Sequence, residues 1–374
     1  MAANVRWVTS DDVSDQVVHN WLAMYERYKS SELIANVVTE VKCITVDNKW
    51  FFPVTINNAE WGNSYVVSPY NSYVSYAQEE LKRKITNRWV IAALTPVIKG
   101  LGLALKWSSM NKVVHVNNFI FSTNPYPDWD GYGLQEIRRF ISAQFPNHMI
   151  IFRSLNELQH PGLLNAIGHT GFKCVVSRQV YMYQPDREQW QKHNNNYQDA
   201  RIIRKSGLSH IGHEQMEDHL KDALHLYNLL YLEKYSLHNP QFTLKFFEEC
   251  HRRHLIHFQG YIDREGHLKA FSGIFVYSGT ITSPLVGYDT SALAKDGLYV
   301  HAIKTIFDHL FSTGQVLNLS SGASLFKRLR GGRPVIEYSC ISCAHLPLQT
   351  RAMVRMLAFV SNSIGKPLLM KYEL

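Results

Sequence analysis

The chain has 374 residues, of which 45% are hydrophobic, 12% aromatic and only 19% charged. That composition fills two ordinary cores and argues against long disordered tails. A formal net charge of +8 suits an anionic partner, nucleic acid or a phosphorylated cofactor, without identifying one.

In chain order, Val5–Val8 reads as a short strand. Asp11 or Asp12 is expected to cap the helix that follows, to about Tyr28. Thr39–Asp47 and Lys49–Ile56 are β-branched and aromatic runs around Asn48, the pattern of a hairpin, and Tyr65–Ser68 is expected to continue the sheet. Asn87–Trp107 is a long helix that Pro96 should kink or restart. Lys112–Phe121, Met149–Arg153 and Lys173–Tyr183 read as strands, and Gly133–Gln144 and Pro161–His169 as helices. The polar stretch PDREQWQKHNNNYQD, from Pro185, shows no apolar period and marks a boundary, giving domains 1–186 and 187–374.

Beyond the boundary, Met216–Tyr235 and Thr243–Arg253 read as helices. Leu255–Asp263 and Leu268–Val276 read as a hairpin, and Thr280–Tyr288 as a third strand. A polar loop with Lys295, Asp296 and Gly297 then feeds an amphipathic helix, roughly Leu298–Ser312. Its apolar residues Leu298, Ala302, Ile303, Ile306, Phe307 and Leu310 recur at helical spacing. A strand at Val316–Leu319, a turn with Ser320, Ser321 and Gly322, a short helix with Lys327 and Arg328, and a strand at Val335–Ile341 follow, then a basic amphipathic tail. Strand, turn at a helix N-terminus and returning parallel strand make a natural anion site, because the first N–H groups and the helix dipole both favour phosphate. The two halves share one order of elements, an architectural duplication without sequence identity at a fixed period.

No window reaches the roughly 18 apolar residues of a membrane span. The nearest, Val90–Leu105, is interrupted by Pro96 and Lys99, so no span is expected. The N-terminus lacks a basic stretch followed by an apolar run, and a cytoplasmic location is expected. Five scattered cysteines, Cys43, Cys174, Cys250, Cys340 and Cys343, fit free thiols in a reducing compartment. The lone CxxC at Cys340 and Cys343 lacks the second pair of a zinc site. HRRHLIH, His251–His257, crosses a helix-to-strand break and has no carboxylate at ligand spacing, so no metal is assigned.

Three stretches carry a resemblance: the meander with the loop Asp289–Gly297 and the helix from Leu298, LNLSSGASLFKRLRGG (Leu317–Gly332), and YQDARIIRKSG (Tyr197–Gly207). Over about Tyr197–Ala344 the chain resembles the GNAT acyltransferase superfamily, and more narrowly its Fem-type and BioF2-like branch. The resemblance implies an α/β (α+β) protein of two tandem GNAT-like domains, each a mixed, mostly antiparallel sheet flanked by helices. It implies transfer of an acyl or aminoacyl group from acyl-CoA or an aminoacyl-tRNA to a small-molecule amine, with tRNA a possible partner and no metal. The carrier would lie along Lys295, Asp296, Gly297 and Leu298 and along Ser321, Gly322, Lys327 and Arg328. Asp289 would take a proton from the amine or orient its ammonium, or else simply cap the next loop. Tyr288 ends the strand lining the acyl site; His301, one turn into the helix, is open to two roles there, a base or a hydrogen-bond partner of the substrate; Tyr338 reads first as a core aromatic and second as a proton donor to a leaving thiolate or ribose oxygen. The loop SALAKDG has one glycine, which fits the alternative of a non-catalytic binding module on the same fold. No P-loop, nucleophile elbow or dinucleotide fingerprint is present.

Overall fold

The computed structural model describes residues 2–84, 87–293 and 296–372, and every structural statement below concerns these residues. Along the chain run β1 (Val5–Val8), α1 (Gln16–Arg27), α2 (Ser30–Leu33), β2 (Glu40–Val46), β3 (Trp50–Asn57), α3 (Tyr76–Lys84), α4 (Arg88–Trp107), β4 (Val113–Val116), α5 (Leu134–Gln144), β5 (Met149–Asn156), α6 (Pro161–His169) and β6 (Lys173–Tyr183). Then come α7 (Arg187–Gln191), α8 (Asn194–Lys205), β7 (Ser209–Ile211), α9 (Leu220–Asn228), α10 (Leu244–Arg252), β8 (His257–Ile262), β9 (Leu268–Tyr277), β10 (Thr280–Tyr288), α11 (Leu298–Thr313), β11 (Val316–Asn318) and α12 (Ser324–Arg328). β12 (Arg333–Ser342), α13 (Leu348–Val360) and α14 (Lys366–Tyr372) follow.

The chain divides into two compact units. Unit 1 is Met1–Ser31, Asn36–Gln179 and Val335–Leu374; unit 2 is Glu32–Ala35 and Val180–Pro334. The sequence reading gave everything from residue 187 onward to the second domain. Val335–Leu374 instead returns to unit 1, because β12 pairs antiparallel with β5 and α13 buries Met353, Val354 and Leu357 against Leu101, Leu105 and Ile151.

In unit 1 the strands lie in the order β1-β2-β3-β4-β5-β12, followed by the first part of β6. Neighbours pair antiparallel from β1 to β4 and between β5 and β12, whereas β4 and β5 are parallel. In unit 2 the order is β7-β8-β9-β10-β11, then the end of β6. Here β10 and β11 are parallel, and β7/β8, β8/β9, β9/β10 and β11/β6 are antiparallel. Each unit thus holds one parallel pair bridged by a helix, β4–α5–β5 and β10–α11–β11. A left-handed glycine precedes each of these helices: Gly133 (φ 75°) and Gly297 (φ 62°). The duplication read from the order of elements is therefore present in the topology.

Local signals explain most elements. The β2–β3 hairpin turns on Asp47 and Asn48, both left-handed (φ 52° and 53°), a conformation these two residue types tolerate. The α1 cap is Asp15, which accepts from the N–H groups of Val17 and Val18, rather than Asp11 or Asp12, which sit in a short 3₁₀ turn. The expected strand at 112–121 ends at Val116, because Asn117 and Ile120 adopt positive φ and turn the chain out of the sheet. Tyr65–Ser68 forms turns, not a strand. α4 continues through Pro96 as one helix.

The cysteine expectation is corrected. Cys174 on β6 and Cys340 on β12 face each other from adjacent strands, with Cα atoms 4.1 Å apart, and form a disulfide. Cys43, Cys250 and Cys343 are buried free thiols.

Candidate functional site

The site begins where β10 and β11 separate. They pair in register only over Thr280–Thr282 and Val316–Asn318. Past Thr282, β10 bulges at Ser283 and Pro284 and runs on against β9 to Tyr288. The Ser283 hydroxyl stabilises the bulge by donating to the Gly273 carbonyl (2.9 Å). β11 instead leaves with β6, as the Leu319 N–H donates to the Tyr181 carbonyl and the Tyr181 N–H to the Ser320 carbonyl. Ser320 takes a left-handed φ of 59° there. Two parallel strands that part after three pairs open a wedge beside the helix that joins them.

The loop from β10 to α11 is organised by its own acids. Asp289 Oδ1 accepts from the Ser291 N–H (3.0 Å) and hydroxyl (2.5 Å), an Asx-type turn. Hydrogen bonding by Ser291 is the main reason the Asp289 pKa is lowered; partial burial opposes the shift and Lys269 assists it. Asp296 accepts from the Leu293 N–H (3.1 Å) and does not cap α11. The cap is Gly297, whose missing side chain matters twice. Its φ is left-handed, and an added Cβ would sit 2.6 Å from Ile202 Cγ2 on α8. No side chain caps the first turn of α11 among the described residues.

A cavity of about 490 Å³ lies at this helix tip, lined by Ile202, Lys205, Lys269, Asp289, Asp296 and Leu298 among others. The helix N-terminus and two ammonium groups favour an anion. Two carboxylates give the wall the opposite sign as well. Lys269 is also paired with Asp263 (3.3 Å). Lys295, the remaining cation read from the loop, lies outside the described residues.

The other expected residues are placed differently. His301 is fully buried and does not line the cavity. Its Nδ1–H donates to the Gly297 carbonyl (2.9 Å), and its ring packs edge-on to Tyr261. Burial lowers its pKa and keeps it neutral, so it steadies the first turn of α11. Tyr288 is half-buried at the end of β10, and its hydroxyl accepts from the Lys234 ammonium (3.0 Å). Tyr338 belongs to unit 1, where its hydroxyl donates to Glu157 (3.2 Å) and accepts from Lys366 (3.1 Å). Lys327, read as a phosphate contact, is buried. Its ammonium donates to the carbonyls of Leu319 (2.6 Å), Ser320 (3.3 Å) and Ser321 (2.8 Å) and holds the turn after β11. Ser321 and Gly322 form that turn, and Arg328 is exposed on α12.

Sequence reasoning missed three groupings. Arg330 forms a buried bidentate ion pair with Asp199 on α8 and lies 3.4 Å over the Phe326 ring. The signal was Asp199, the one acid in the basic run YQDARIIRKSG. In unit 1, Arg178 pairs with buried Glu337 (2.8 Å) near Arg153, whose guanidinium reaches the Val66 carbonyl and Asn118. These three come from β6, β12 and β5, far apart in sequence. In unit 2, the His213 ring stacks 4.1 Å from His251 and lies 5.0 and 4.9 Å from His254 and His257. Donor atoms of His213, Glu214 and His254 fall within 4.8 Å of one another. The Phe258 N–H donates to His213 Nδ1 (3.0 Å), so the neutral ring carries its proton on Nε2 and offers no lone pair there to a cation.

No family model matches the chain, and no curated protein matches it in sequence. Solved structures do match in fold. The C-terminal DUF2156 domain of a protein described as a lysylphosphatidylglycerol synthetase from Agrobacterium fabrum aligns with a TM-score of 0.54 at 12% identity, over 95% of this chain and 98% of that one. FemX aligns with a TM-score of 0.56 at 8% identity, over 95% and 100%. A tandem GNAT protein from the clavulanic acid biosynthesis pathway aligns with a TM-score of 0.42 at 9% identity, over 92% and 99%. The chain has the fold of the GNAT-like, Fem-type acyltransferases, in two tandem units.

Proposed function

We propose that this protein is an acyltransferase that moves an acyl or aminoacyl group from an activated carrier, acyl-CoA or aminoacyl-tRNA, to an amine by direct attack. The observation that carries the reading is the cavity at the uncapped tip of α11, flanked by Lys205 and Lys269, beside the wedge between β10 and β11. The carrier's phosphates would rest against that helix tip. A thioester or ester is already activated, so the protein need only align the partners and steady the tetrahedral oxyanion with backbone N–H donors. The amine nitrogen attacks the carbonyl carbon, the C–S or C–O bond breaks, and the leaving atom gains a proton. In this proposal ionised Asp289, with its lowered pKa, orients the substrate ammonium, which releases one proton to solvent before its nitrogen attacks; the proton that the nitrogen sheds as the amide forms replaces the one given to the leaving atom. Tyr288, hydrogen-bonded to Lys234, supplies the proton to the leaving group. A cytoplasmic location goes with either carrier.

Calorimetric titration with acetyl-CoA and, separately, with charged tRNA tests the reading. Saturable binding to one of them, weakened in Lys269→Gln and Lys205→Gln, supports it. Absence of binding to both carriers removes it. The second reading is a non-catalytic binding module. It is favoured by the engagement of Asp289 within its own turn and by the burial of His301 and Lys327. Tight carrier binding without turnover of any amine would select it.

A further inference from the structure

We infer that the face of unit 1 formed by α4 and α13 docks on an anionic lipid bilayer. α4 is long and apolar enough to cross a membrane by length and composition, yet only 17% of its apolar window is buried. Trp89 (73% exposed), Leu103 (73%) and Trp107 (69%) project from it, and on the neighbouring α13 Leu348 (69%) and Phe359 (68%) are equally bare. Surface patches of this kind are rare on soluble proteins unless they meet a partner. The patch is not a spanning segment. One side of α4 is fixed to the unit 1 core through Leu101 and Leu105, which pack with Met353, Val354 and Leu357 of α13. A helix anchored on one side and apolar on the other lies flat in an interface rather than crossing it.

Charge and residue type identify the occupant. From Asn87 to Pro127, and again from Ala344 to Tyr372, the sequence contains no Asp or Glu. Exposed Arg88, Lys99, Lys106 and Arg355 lie among the apolar side chains. Lys106 sits 5.1 Å over the Tyr70 ring and 5.9 Å over that of half-exposed Trp61. Tryptophans at both ends of the helix suit the headgroup level, where the ring is half in hydrocarbon, and cations beside them suit anionic headgroups. A second copy of this chain would bring like charges together and is the poorer fit.

The test is co-sedimentation of the full chain with phosphatidylcholine vesicles, with and without phosphatidylglycerol. The wild type should pellet with the phosphatidylglycerol vesicles. The triple variant Trp89→Ser, Leu103→Ser, Trp107→Ser should lose about tenfold or more in partitioning while keeping its circular dichroism spectrum. Changing Arg88, Lys99 and Lys106 to Gln should remove the preference for phosphatidylglycerol. Should the triple variant not fold, bromolipid quenching of tryptophan fluorescence in the wild type, reduced in Trp107→Phe, reads the same contact. Wild type left in the supernatant with both vesicles, unchanged pelleting of the folded triple variant, or a dimer that the triple substitution dissociates, each overturns the inference.

Discussion

The Arg330 guanidinium holds the Asp199 carboxylate through Nε and Nη2, the latter at 2.7 Å, and both side chains are buried within unit 2. This pair joins α8, whose last turn lines the cavity at the α11 tip, to the turn after α12. Asn196 adds a weaker tie to the Arg330 carbonyl (3.5 Å). Removing one partner strands a buried charge, a loss of about 3–5 kcal/mol. Asp199→Ala should therefore lower the urea midpoint sharply, and Arg330→Lys should rescue little, since an ammonium cannot reproduce the two-pronged geometry. A midpoint within experimental error of wild type for Asp199→Ala would show that the pair is not buried as described.

Gly297 is expected to resist substitution for two separable reasons. The left-handed backbone costs an alanine about 1–2 kcal/mol, and contact of its Cβ with Ile202 adds overpacking of about 1–3 kcal/mol. Gly297→Val should destabilise the fold too, because its Cβ would lie 2.6 Å from Ile202 Cγ2. The double variant Gly297→Ala, Ile202→Ala should recover the steric part and keep the backbone part. If Ile202→Ala gives no recovery, the tight approach of α8 to the helix tip is not the cause.

The sequence disclosed the elements of the site more fully than its side chains. β10 was legible because Thr280–Tyr288 is a β-branched run, and α11 because its apolar stripe keeps helical spacing and Gly297 stops the preceding loop. The separation of β10 from β11 depends on a bulge at Ser283–Pro284 and a left-handed Ser320, which have no period to read. Lys327 and His301 show the limit most clearly. A lysine in a basic run and a histidine near a helix start have the same letters whether they face solvent or the interior. Only the tertiary fold turns the Lys327 ammonium inward onto three carbonyls and seals His301 against Tyr261. The return of β12 to unit 1 was hidden because strand order in a sheet need not follow chain order.

Lys327→Met should distinguish a structural ammonium from a phosphate ligand. The methionine fills similar volume but leaves the carbonyls of Leu319, Ser320 and Ser321 without their donor, a cost of about 2–4 kcal/mol. Thermal unfolding should shift downward, while carrier affinity below the new transition stays within about threefold of wild type. A large loss of affinity with unchanged stability would return Lys327 to the binding surface.

The histidine cluster of unit 2 should make stability depend on pH. Burial, then repulsion from His251, His257 and His254, lowers the His213 pKa from 6.5 to about 4. His257 and His309 are lowered too, burial being the main cause in each, and Glu214 partly opposes the shift at His257. A base whose folded pKa is depressed binds more protons when unfolded. Its contribution is therefore complete above the unfolded value of 6.5 and is lost as pH falls toward about 4. Between about pH 7.5 and about pH 5, His213 alone should account for up to about 2 kcal/mol of lost stability. His213→Asn keeps an acceptor near the Phe258 N–H and cannot titrate, so its urea-unfolding free energy should fall less over the same interval. Equal slopes for wild type and variant would mean that His213 is not held neutral by its neighbours.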